Sequence, residues 1–168
     1  TLSLHDALPI SLTESRFRVL TSLLNGKKCV VITPYSSLLQ KIIPRKKLFN
    51  SIIRLQTGDD LSIENLSQWF TDSGFHRETQ VTDIGTFCVR GGIVDIYPFL
   101  YENPLRIEFW GNYIESIREF DVFTQKSLDL RNSVEIVPMK EFLFSSEEID
   151  SALERIDEFV DSNKIDGN

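Results

Sequence analysis

Between residues 75 and 128 the chain runs in short stretches of alternating apolar and polar residues, each cut by turn formers: Gly85, Gly91-Gly92, Asn103-Pro104 and Gly111-Asn112. Alternation with a period of two puts successive side chains on opposite faces, so each stretch reads as a strand with one buried face. Links this short join only antiparallel neighbours. Strands are expected at about 86–90, 93–97, 105–110 and 113–120, and Gly111-Asn112 has the length and chemistry of a two-residue hairpin loop. The apolar face needs a cover, and the preceding segment supplies one: Ser62 as N-cap, Ile63, Leu66, Trp69 and Phe70 on one helical face, and Gly74 as the stop.

The flanks have a different texture. Thr13 can cap a helix carrying Phe17, Leu20, Leu23 and Leu24, closed by Gly26. The continuous apolar run Cys29-Val30-Val31-Ile32, followed by Thr33-Pro34, reads as a strand buried on both faces, as in a parallel sheet covered by helices. Leu38, Leu39, Ile42 and Ile43 mark a short helix ended by Pro44, and 52–55 a further strand. This opening third has the pattern of the last units of an α/β domain. After the sheet, 134–137 reads as a short strand. Ser145 and Glu148 form a capping box for a helix with Ile149, Leu153, Ile156, Phe159 and Val160 on one face, assigned to a following or resumed domain. The expected fold class is mixed α+β: a partial α/β domain, an inserted small antiparallel sheet with one packed helix, and the start of a resumed α/β domain.

Charge narrows the partners. A formal net charge of -7 over 168 residues lacks the clustered Lys and Arg with which a protein grips phosphates by itself, so a protein partner fits better. Cys29 and Cys88 lie far apart in apolar runs, which predicts two buried free thiols, neither a zinc knuckle nor a disulfide framework. No apolar stretch approaches the ~20 residues that cross a bilayer. Residues 1–10 lack the order of a secretory signal. TLSLHDALPI resembles the read-through translation of a sequencing adapter and is set aside, with the protein expected to continue upstream of Ser11 and downstream of Asn168.

Enzyme chemistry finds little footing. There is no GxxxxGK[ST] phosphate loop, HExxH or GxSxG, and no metal-ligand cluster. His5 lies in the set-aside segment and His76 stands alone beside Phe75, so neither is assigned a role. Gly91-Gly92 links two strands instead of opening a helix, and reads as a tight hairpin rather than a phosphate cradle. Glu115 and Glu119 share strand parity and read as a solvated face. Asp95 lies between Val94 and Ile96 and can pair across the sheet with Arg90 or Arg106, a purely structural use of Arg90. Lys41, Arg45, Lys46 and Lys47 gather around a helix end at Pro44, where basic residues complement the dipole.

The stretches FCVRGGIVDIYP (87–98) and LRIEFWGNYIESIR (105–118), followed by Phe120-Asp121, resemble the interaction domain of excinuclease UvrB, which occurs in UvrB itself and in transcription-repair coupling factors. RGGIVDIYP together with FDVFTQKSL is similar to the coupling-factor form. UvrB more often carries an RGD-type turn and Pro-Leu-Thr-Gly near 123–125. The looser similarity runs from about 12 to 142.

The resemblance implies that 11–57 is the C-terminal part of a degenerate helicase-like α/β domain, 58–131 the interaction domain, and 132–168 the start of the resumed α/β segment. It also implies a sheet that docks onto excinuclease UvrA, the damage-recognition protein, through arginines and an aromatic residue on its exposed face. Arg77 and Arg90 match those arginines and Tyr97 falls near the aromatic, with His76 the alternative occupant of the Arg77 position. Cys88 stands where UvrB has a third arginine. The implied function is that of a non-catalytic fragment of a coupling factor, cytoplasmic, recruiting nucleotide excision repair to stalled RNA polymerase. RNA polymerase and DNA would be contacted by other parts of the parent, and ATP and magnesium would belong to its motor domains. The competing readings are a fragment of UvrB, a DNA-dependent ATPase, and a structural domain that packs on its own chain and masks the docking face.

Overall fold

The computed structural model describes residues 10–141 and 146–162. The sheet lies where the alternation places it. β3 (Thr86–Arg90), β4 (Ile93–Ile96), β5 (Leu105–Trp110) and β6 (Tyr113–Phe120) pair antiparallel in sequence order. Gly91 and Gly111 take φ of 60° and 62° at the first position of their links. L side chains avoid that region, and it lets Arg90 face Ile93 and Trp110 face Tyr113 across two-residue loops. Two edge strands complete a six-stranded sheet: β2 (His76–Arg77), parallel to β3, and β7 (Ser127–Arg131), antiparallel to β6. Neither is expected from the sequence. β2 is two residues long, too short to show a period, and every residue of β7 is exposed, so its alternation marks no buried face.

Helix α4 (Ile63–Asp72) covers one face of this sheet. It begins where Ser62 Oγ accepts the Asn65 N–H at 3.2 Å and stops before Gly74, whose φ is 93°. Leu66 and Phe70 are fully buried against Phe87, Val94, Ile96, Leu105, Ile107 and Ile117, with the Phe70 ring 5.3 Å from Phe87 and 5.5 Å from Phe75. Burying each such side chain contributes about 1.5–3 kcal/mol. The strands on either side of this unit meet: β1 (Ile53–Gln56) pairs antiparallel with β8 (Ser133–Ile136), Ile53 opposite Ile136 and Leu55 opposite Val134. Leu55, Val134 and Ile136 belong to the same core as α4 and the large sheet.

Helix α1 (Ile10–Leu24) forms and sends Phe17 into a second cluster with Ile43, Leu48, Ile52, Phe99 and Val137, but it starts at Ile10, so Thr13 lies within its first turn and does not cap it. The rest of the opening third departs from expectation. Residues 29–32 are not a strand. Val30 and Ile32 are 91% and 95% exposed and no described strand pairs with them, so the run has neither ladder nor cover. Cys29 is accordingly exposed, and only Cys88 is a buried thiol. The helix expected around 38–43 shrinks to α2 (Tyr35–Leu38), with Leu38, Leu39 and Ile42 exposed and Ile43 buried. Pro44 does not end a helix. With φ at -58° it caps the start of α3 (Arg45–Ser51), because proline's fixed φ and missing N–H suit a first turn. Arg45, Lys46 and Lys47 therefore stand at the positive end of the helix dipole, and Lys47 Nζ instead reaches the Glu148 carboxylate at 2.7 and 2.8 Å.

Helix α5 (Ser146–Ser162) carries the expected apolar face, yet Ile149, Leu153, Ile156, Phe159 and Val160 are all exposed. Ser145, the proposed cap, lies outside the described residues, as do residues 1–9; Ile10 of the set-aside segment opens α1. The architecture is mixed α+β, with small, mainly antiparallel sheets and few helices. Among the described residues no helix is long and apolar enough to cross a membrane.

Candidate protein-binding face

Helix α4 takes the sheet face lined by Phe87, Val94, Ile96, Leu105 and Ile107, which leaves the residues of opposite parity on the other face. Side chains paired across a ladder share a face. The register therefore collects Cys88, Asp95, Arg106 and Arg118 in one row and Arg90, Ile93, Glu108 and Ser116 in the next. An apolar face is repeated on one side and a more polar one on the other because the sequence alternates within each of β3, β4 and the start of β5, and the links between them bring like faces into register.

Asp95 is the centre of this face. It is 1% exposed, and burial of a carboxylate demands compensation. Arg106 supplies it with two parallel bonds, Nε donating to Oδ1 at 2.7 Å and Nη2 to Oδ2 at 2.8 Å. Arg90 Nη2 donates to the same Oδ2 at 2.6 Å. Both cross-strand partners foreseen for Asp95 are thus used at once. Arg106 is itself fixed, its guanidinium 4.4 Å from the centroid of the buried Phe120 ring, and its bond to Asp95 raises its pKa further above the ordinary arginine value. The Arg90 side chain is 48% exposed against 14% for Arg106, so Arg90 is anchored at one nitrogen and otherwise faces solvent.

A second group flanks the first. Arg118 Nη2 donates to Glu108 Oε2 at 2.6 Å and to Ser116 Oγ at 2.8 Å. On the other parity, that of Leu105 and Ile117, Arg131 and Asn103 donate to Glu119 at the strand end, at 2.5 Å for Arg131 Nη2 and 3.1 Å for Asn103 Nδ2. Glu119 is only 6% exposed, which corrects its reading as part of a solvated face; Glu115 is exposed as expected. The cause is local. The β5–β6 register shifts where Glu108 and Phe109 face Ser116 and Ile114, so Glu115 is an extra, bulged residue, and beyond it Glu119 falls on the buried parity of Ile117 and opposite Leu105.

Of the residues matched by resemblance, Arg90 lies on this open face. Arg77 lies on the edge strand β2, exposed, with Phe87 as its register partner, whereas its neighbour His76 pairs with Thr86 on the parity of Arg90. Tyr97 is partly buried against Val81, Cys88 and Phe120, and its hydroxyl donates to the Glu102 carbonyl at 2.7 Å. Burial, with the Glu14 charge, pushes its pKa up. Cys88 is buried beside Asp95; burial first and the Asp95 charge second push its thiol up, so it stays protonated and unreactive at neutral pH. Phe123 and Gln125 carry no signal of a role in the sequence. Gln125 receives Arg106 at its side-chain oxygen (3.3 Å) and its carbonyl (3.5 Å), which brings the β6–β7 turn against the open face.

Val81, Phe120 and Gln125 cover part of this face at Cys88, Asp95 and Arg106. The accessible remainder carries the Arg90 guanidinium and the Glu108–Arg118 pair, polar groups that suit another macromolecular surface better than a small molecule, which prefers a concave apolar site. A cleft of about 400 Å³, lined by Arg18, Thr21, Tyr101 and Glu135 among others, includes no residue of this face. Among the described residues no group of three or more His, Cys, Asp or Glu is placed to hold a metal ion.

Comparison with known proteins points the same way. The family model for the UvrB interaction domain matches residues 53–142. The transcription-repair-coupling factor of Bacillus subtilis (strain 168) is 34% identical over 146 residues, covering 87% of this chain and 12% of that protein. The transcription-repair-coupling factor of Staphylococcus aureus (strain USA300) is 36% identical over 145 residues, covering 86% of this chain and 12% of that protein. The matched stretch contains β1, the whole six-stranded sheet and β8.

Proposed function

Since the chain belongs to the UvrB interaction domain family and is similar over most of its length to transcription-repair-coupling factors, we propose that it binds excinuclease UvrA through the open face of its sheet. The observation that carries this reading is the half-exposed Arg90, held in place by a buried carboxylate on the sheet face opposite α4. Arginine at such a position offers planar, bidentate donors, and with aromatic residues it dominates the energetics of interfaces. On this reading Arg90 contacts the partner from the face opposite α4, Arg77 from the exposed edge strand β2, on the parity of Phe87, and Tyr97 from beside the Val81, Cys88 and Phe120 cluster.

The parent protein is then a coupling factor that brings nucleotide excision repair to stalled RNA polymerase in the cytoplasm. The residues before β1 and after β8 belong to its helicase-like α/β part, and its ATP, magnesium, DNA and polymerase contacts lie in other segments. This stretch binds and does not catalyse. The relatives above, both coupling factors, favour this parent over UvrB.

The test is a calorimetric titration of the 168-residue chain against UvrA, with Arg90→Ala and Arg77→Ala alongside and circular dichroism as the control for folding. Saturable binding is expected. Truncating an interfacial arginine paired in the complex weakens it by about 2–5 kcal/mol. No heat and no complex from a well-folded chain would sink the reading.

A further inference from the structure

Phe123 is 93% exposed, the most exposed aromatic side chain among the described residues. On a loose loop this would mean little, but the turn that carries it is fastened at nearly every position. Asp121 Oδ1 accepts the Phe123 N–H at 3.1 Å, the Thr124 N–H at 2.7 Å and the Thr124 hydroxyl at 2.8 Å. The Asp121 N–H donates to the Lys126 carbonyl at 2.9 Å, and the Asp121 carbonyl accepts the Gln125 N–H at 2.8 Å. Gln125 Nε2 reaches back to the Val122 carbonyl at 2.7 Å.

The turn is also strained. Gln125 has φ of 58°, alone among the described non-glycine residues in the left-handed region, and such conformations persist where surrounding contacts hold them and recur at binding sites. Here the holder is Arg106, bonded to Gln125 as described and clamped by Asp95, which also grips Arg90. Ring and guanidinium are therefore tied to one scaffold of hydrogen bonds running from Arg90 through Asp95, Arg106 and Gln125 to the turn. Tyr97 lacks this freedom, its ring partly packed and its hydroxyl committed to Glu102.

We propose that Phe123 is the aromatic anchor of the docking surface: its ring enters an apolar pocket of UvrA whose rim presents carboxylates to Arg90. The inference rests on the open face being the docking face. The charge argument is that Asp95 meets two guanidiniums, leaving one positive charge in the scaffold, at the half-exposed Arg90, for an acidic rim to answer. A preformed turn places the ring without an ordering penalty at binding, which is how a single exposed aromatic becomes dominant.

The experiment compares the full chain with Phe123→Ala and Phe123→Leu in calorimetric titration against UvrA, with thermal melts of each. Phe123→Ala should bind on the order of thirtyfold more weakly with an unchanged melting midpoint, because the ring supports nothing in the free chain. Phe123→Leu, which keeps an apolar plug, should recover most of the loss. If the parent binds and Phe123→Ala binds within about twofold of it, the anchor is overturned while the docking face stands. If the folded parent does not bind at all, both fall together.

Discussion

Asp95 separates two properties that usually travel together. Replacing Arg90 with Ala leaves the Asp95 carboxylate bound to Arg106 by two bonds, so unfolding in urea should show a loss of under about 1 kcal/mol, as for a half-exposed ion pair. Replacing Asp95 with Ala strips Arg106, which is 14% exposed, of its bidentate partner, and the same experiment should show a loss of about 3 kcal/mol. Partner binding should reverse the order if the Arg90 head group is what the partner touches. Asp121 gives a prediction in pH. The Thr124 N–H and hydroxyl, then the Phe123 N–H, hold its carboxyl below the ordinary range, so the turn bonds contribute stability that is present above the unfolded-state value and lost only as pH falls through the lower folded one. An NMR titration should find the Asp121 carboxyl ionising at lower pH than exposed aspartates, with the Phe123 and Thr124 amides shifting at the same midpoint. The Arg90–Asp95–Arg106 group was legible in the sequence because Asp95 interrupts an apolar run with the right parity. Glu119 was not, because the bulge at Glu115 reset the period of β6, and Gln125 was not, because nothing in its residue type announces a left-handed backbone.

Among the elements, the β3–β4 hairpin depends on two glycines for different reasons. Gly91 needs its positive φ, while a Cβ on Gly92 would lie 2.9 Å from the Phe109 carbonyl oxygen, a backbone atom that can move only with β5. Gly92→Ala should lower stability by about 1–3 kcal/mol in thermal melts through this crowding. Beneath the same hairpin, Phe70→Ala in α4 should cost about 3–5 kcal/mol, since its ring is fully buried between Phe75 and Phe87. The elements with one buried face, α4 and β3 to β6, were readable because a face that must be hidden imposes its period on the residues. Cys29 to Ile32 misleads for the complementary reason: an unbroken apolar run states that cover is wanted and says nothing about where it comes from, and no described strand supplies it. β7 is exposed throughout and β2 has two residues, so neither bears such an imprint.

Across the whole molecule, stability is uneven. The sheet and α4 share one large core, α1 and α3 a smaller one, and α5 leaves its apolar face open. Native-state hydrogen exchange should rank the amides accordingly: slowest in β4, β5 and the middle of β6, faster in α1, and fastest in α5, whose opening exposes little that is not already exposed. The pairing of β1 with β8 has a consequence for how such a unit can spread. The segments leading into and out of the sheet run side by side in opposite directions, with Ile53 across from Ile136, about 5 Å apart as ladder partners are. A unit hung from two neighbouring strands behaves like a cassette. A host that offers a hairpin-width gap can take such a unit in without a break in its chain path, provided it also supplies the apolar partners that Leu55, Val134, Ile136 and Phe99 meet here.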